Sequence, residues 1–98
     1  MQERPRMHSQ LYDLPVKLVG EYAEAGLPFQ PVVLTRLSEN SCLASKCGPS
    51  PPLGTQVDVW IGAIGPLSAT VAECQTDEIR MKFHAPLASA VLSHFAEL

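Results

Sequence analysis

TQVDVWIGAIGPLSATVAECQTDEIRMKFH, residues 55–84, decides the fold. Val57, Val59 and Ile61 alternate with Gln56, Asp58 and Trp60. Leu67, Ala69 and Val71 repeat that spacing, and Ile79, Met81 and Phe83 alternate with Arg80, Lys82 and His84. A period of two sends successive side chains to opposite faces, so each run reads as a half-buried strand. Gly62 with Gly65-Pro66, and then Gln75-Thr76-Asp77, supply the turns between them.

Working outward, the prolines of Cys47–Gly54 make a loop. Upstream of it, Cys42-Leu43-Ala44 starts a short third strand, Ser38-Glu39-Asn40-Ser41 is a cluster of turn formers, and Pro31–Leu37 is a second strand rich in β-branched residues. Leu14, Val16 and Leu18 mark a first strand that Gly20 closes, with Glu21–Gly26 a polar connection. Pro15 has no amide donor, which predicts that this strand lies at an edge or begins irregularly. Six short strands at this spacing predict a mainly β domain, a small antiparallel barrel or sandwich. The end has another period. Pro86 followed by Leu87, Val91, Leu92, Phe95 and Leu98 predicts an amphipathic helix over 86–98 that must pack on the sheet to persist. Residues 1–10, MQERPRMHSQ, carry no apolar period and read as a flexible N-terminal arm before a domain over 11–98.

Ninety-eight residues suit one domain with one modest core. Seven Lys and Arg against ten Asp and Glu give a net charge of −3, without the basic surplus that DNA or RNA binding needs. Three cysteines are too few for a disulfide scaffold. No apolar run is long enough to span a bilayer, and the N-terminus does not read as a secretory signal. A soluble, cytoplasmic protein is the expectation.

Catalysis has no foothold in the sequence: there is no Gly-x-Ser-x-Gly elbow and no paired nucleophile and base, so the reading is not an enzyme. Cys42 and Cys47, with four residues between them, and Cys74, His8, His84 and His94, which are scattered, do not form the two close ligand pairs of a zinc site. No metal or cofactor is expected; Cys42 and Cys74 read as small strand hydrophobes. The glycines at 62 and 65 join two strands and form no phosphate loop. Trp60 sits on the polar side of its strand, which leaves open a half-exposed contact surface or packing under the arm or helix.

The arm, Asp13-Leu14-Pro15-Val16-Lys17-Leu18, a strand ending in Leu37-Ser38, Pro52-Leu53-Gly54-Thr55 entering Val57-Asp58-Val59-Trp60, and Arg80-Met81-Lys82-Phe83 before a Pro-Leu helix together resemble the PilZ domain family. The resemblance covers residues 11–98 and rests on the order of elements. It implies a six-stranded antiparallel β-barrel with a C-terminal helix, a signalling role in the cyclic diguanylate (c-di-GMP) pathway, that dinucleotide as ligand, and a downstream protein partner. The family holds its ligand with Arg-x-x-x-Arg in the arm and Asp/Asn-x-Ser-x-x-Gly after the second strand. Guanidinium forks grip phosphates and guanine edges bidentately.

This chain departs from both motifs. Arg4 is followed at the fourth position by His8, and Arg6 by Gln10. Arg36, Ser38 and Ser41 stand where the family has Asp, Ser and Gly, so only Ser38 matches. Asn40, which tolerates left-handed geometry, is expected to supply the turn. The resemblance thus implies Arg4, Arg6, His8, Arg36, Ser38 and Ser41 as the ligand-binding set, with affinity weakened or lost. Taken alone, the arm arginines read as solvated charges and the two serines as turn residues. An adaptor that binds protein and no nucleotide is the alternative.

Overall fold

A computed structural model describes residues 14–46 and 48–96. The alternating runs form β1 (Leu14–Glu24), β2 (Gln30–Leu37), β3 (Ser41–Ser45), β4 (Gln56–Ile61), β5 (Ile64–Cys74) and β6 (Glu78–Phe83), followed by one short helix, α1 (Ser89–Ala96). All neighbouring strands are antiparallel, and they close into a barrel in the order β1-β2-β3-β6-β5-β4. Closure leaves no sheet edge to protect. The fold is therefore a closed six-stranded barrel with a C-terminal helix, and the sandwich option falls away.

The inward residues of each alternation make the core. Leu34, Leu37, Val59, Ile61, Val71, Ile79, Met81 and Cys42 are all fully buried. Leu87, Leu92 and Phe95 join them from the C-terminal segment. The linker from Lys46 to Thr55 crosses from β3 to β4. It is tied down by Lys46 N–H to the Asp77 carbonyl (3.0 Å), Gly54 N–H to Val71 (2.8 Å) and the Cys74 thiol to Pro51 (3.3 Å).

Three boundaries differ from the sequence reading. β1 does not stop at Gly20 but runs on to Glu24, because β4 pairs along it from Gly20↔Ile61 to Glu24↔Val57. Of the two outcomes that Pro15 predicts, the second holds: the pairing of β1 with β2 shifts register between Pro15 and Leu18, so the strand begins irregularly, and in the closed barrel it is not an edge strand. The β4–β5 turn is Gly62-Ala63 alone, with Gly62 at φ 61° as a two-residue hairpin with glycine first requires. Gly65-Pro66 belongs to β5, where the Trp60 ring lies over Gly65; a Cβ there would sit 2.8 Å from the ring. Trp60 is thus half-buried against its own hairpin.

The helix covers Ser89–Ala96 rather than starting at 86. Leu87 spends its N–H on the Glu39 carbonyl (2.8 Å), which holds residues 86–88 outside the helix, and the Ala88 carbonyl takes the first helical bonds from Val91 and Leu92. Among the described residues no helix is long and apolar enough to cross a membrane.

Burial has a titratable consequence at Cys42. Desolvation pushes the Cys42 thiol from 9.0 up to about 12, against the opposing pull of the Met81 backbone and Arg80. The unfolded thiol ionises above pH 9 while the folded one keeps its proton, so this group removes stability as pH rises from about 9 towards 12. At pH 10.5 the loss is on the order of 2 kcal/mol. Urea midpoints at pH 8 and 10.5 check it: the wild type loses more stability between them than Cys42→Ala does.

Candidate functional site

Arg4, Arg6 and His8 lie outside the described residues. Ser38 and Ser41 come together at the end of the barrel where β2 turns into β3, and Arg36 lies in β2 two residues before that turn. The Ser38 side chain builds that turn. Its Oγ accepts the amides of Ser41 (3.0 Å) and Asn40 (3.3 Å), and lies 3.1 Å from the Ser41 carbonyl and 3.2 Å from Ser41 Oγ. The Ser38 amide closes the turn on the Ser41 carbonyl at 2.8 Å. Asn40 does not supply left-handed backbone: among the described residues no non-glycine has positive φ. A serine hydroxyl that satisfies two amides makes the tight turn without it.

The turn is also fixed from below. The Asn40 carbonyl accepts the Phe83 amide (2.7 Å) and the Glu39 carbonyl accepts the Leu87 amide (2.8 Å). The loop that carries the candidate serines is therefore bonded at two points to the segment leading from β6 into α1.

Arg36 is exposed on the outer face of β2, paired with Pro15 on one side and Leu43 on the other. Leu43 pairs in turn with Arg80 of β6. Arg80 reaches the turn itself: its Nη1 donates to Ser41 Oγ at 3.4 Å, and its Nε lies 3.7 Å from Glu73 Oε1. With both lone pairs of Ser38 Oγ taken by the Asn40 and Ser41 amides, its one proton goes to Ser41 Oγ or to the Ser41 carbonyl, and Ser41 Oγ accepts from Arg80. Sequence reasoning does not reach Arg80 as a site residue. Alternation puts its side chain on the outer face, but only the pairing of β6 with β3 brings it to Ser41.

Elsewhere, an open groove of about 610 Å³ runs over Val19, Pro31, Val33 and Ser45, with Lys46 and Asp77 at its side. On the β4–β5 face a cleft of about 140 Å³ includes Asp58, Ser68 and His84. His84 Nε2 meets the Thr70 hydroxyl at 2.7 Å, but no carboxylate is hydrogen-bonded to the ring among the described residues, so the pair lacks the third member that orients a base. Among those residues no three of His, Cys, Asp and Glu gather as a metal site would need.

Compared with known proteins, the chain matches no family model, and no curated protein matches it.

Proposed function

We propose that this chain is a PilZ-type signalling module of the c-di-GMP pathway, non-catalytic, in which direct nucleotide binding is weakened and the signal passes to a downstream protein. The observation that carries the reading is the braced turn at residues 38–41. It sits at the position the resemblance assigns to the ligand, on a closed six-stranded barrel, and it is bonded through Glu39 and Asn40 to the lead-in of α1. A ligand that moves this turn pulls on Phe83 and Leu87 in the segment that leads into α1, and the helix is the output to a partner.

Weakening follows from the residues. Ser38 uses its oxygen inside the turn, so a ligand must compete with two backbone amides. The acidic partner for guanine is replaced by Arg36, and the doubled arginine of the arm is lost. At roughly 1–3 kcal/mol for each bidentate base contact, a loss of about 3 kcal/mol takes a micromolar site to on the order of 100–200 μM.

A second reading, an adaptor that binds no nucleotide, draws on the apolar groove, where Val19 is 75% exposed. Calorimetric titration with c-di-GMP, with GMP as control, separates the two. The first reading requires saturable binding of c-di-GMP alone, near 100 μM or weaker. The absence of heat up to millimolar ligand leaves the adaptor.

A further inference from the structure

β6 carries its outward charges in an order: Glu78, then Arg80, then Lys82. Pairing with β3 sets Glu78 opposite Ser45 at the far end, and Arg80 and Lys82 opposite Leu43 and Ser41 beside the turn. The acid is therefore remote and the two cations adjoin the serines. Arg36 lies in the same lateral row, Arg36–Leu43–Arg80, so two guanidiniums flank a half-buried leucine. Two strand spacings put their Cα atoms about 10 Å apart. An anion above Leu43 is within reach of both side chains, and the leucine gives a flat base an apolar floor.

Arg80 is also pre-positioned. Ser41 Oγ holds one edge of the guanidinium and Glu73 the other, while the Nη2 hydrogens have no partner among the described residues. The Glu73 side chain is 68% exposed, and an ion pair of that kind is worth little, so a phosphate displaces it readily.

We propose that Arg80 is the ligand-gripping cation of this barrel: a phosphodiester with a flat base binds over Leu43 between Arg80 and Arg36, and the fold itself supplies a guanidinium that the arm lacks. This rests on the functional reading above and adds a residue to its site.

The test follows arginine Nε–Hε and backbone amide signals of the full chain during titration with c-di-GMP and, separately, inorganic phosphate. The Arg80 signal is expected to move with c-di-GMP. Arg80→Ala is expected to weaken binding at least tenfold, and Arg80→Lys to restore only part of it, since an ammonium lacks the fork. Glu73→Ala removes the exposed ion pair that competes for Arg80 but keeps the cation, and is expected to change affinity less than threefold. If Arg80→Ala weakens binding while the Arg80 Nε–Hε signal of the wild type stays still on titration with c-di-GMP, Arg80 acts only by holding the turn and the proposal fails. If c-di-GMP moves the Ser38–Ser41 amides but not Arg80, and Arg80→Ala binds as the wild type does, the proposal fails while the functional reading stands. Equal affinity for phosphate and c-di-GMP, with Arg80 responding to both, supports the arginine as a phosphate site and overturns the dinucleotide reading. Silence with both probes overturns both.

Discussion

Leu34→Ala is expected to remove about 3–4 kcal/mol of folding stability. Leu34 has no exposed surface and sits on the inner face of β2, between Leu18 of β1 and Ala44 of β3 in the ladder. Truncation forfeits the transfer free energy of three carbons and leaves a cavity. Ala44 is already small, and the closed hydrogen-bond ring on both sides resists collapse. A domain of this length has a total stability of roughly 5–15 kcal/mol, so the variant is left close to its threshold. Urea denaturation checks it: the midpoint falls steeply with an unchanged slope. A loss under 1 kcal/mol would mean that the barrel interior is not packed as described.

Gly20→Ala is expected to cost about 2–3 kcal/mol for the opposite reason. A Cβ at Gly20 would lie 2.5 Å from the Trp60 carbonyl oxygen and 3.0 Å from Leu34 Cδ1. The leucine can rotate away, but the carbonyl belongs to β4, which pairs with β1 at Gly20↔Ile61 and is held again by Gly62 N–H to the Val19 carbonyl (3.2 Å). The two strands must separate or the residue must distort. Combining the substitution with Leu34→Ala relieves the leucine contact alone, so the double variant is expected to be less destabilised than the two single losses added together, yet still below Leu34→Ala. Thermal melts of the three variants check both statements.

These two residues also show what was legible in the sequence. The strand that carries Leu34 is read from its β-branched residues, but not which side chains face inward, because a register shift between Leu34 and Arg36 turns both Leu34 and Leu37 to the core and breaks the period of two. Gly20 is misread as the end of a strand, because a glycine that lets a neighbouring backbone approach looks the same as one that turns the chain. The cause of its conservation of space, the Trp60 carbonyl, lies forty residues away and depends on β4 pairing with β1. The site divides in the same way. Ser38 and Ser41 are local, and turn chemistry names them. Arg80 is distant in sequence, and only barrel closure brings β6 beside β3. The helix is legible from its apolar spacing, but its first turn is not, since the Leu87 amide is drawn to Glu39 by a tertiary bond.

The coupling of turn to helix is the centre of the functional account, and one amide-resolved NMR titration with c-di-GMP tests it. The account predicts that Ser38–Ser41 and the segment from Phe83 through Leu87 to Phe95 shift together, with one shared midpoint near 100 μM or weaker. Shifts at the turn while the helix segment stays still, or no shift in either at millimolar ligand, would contradict it.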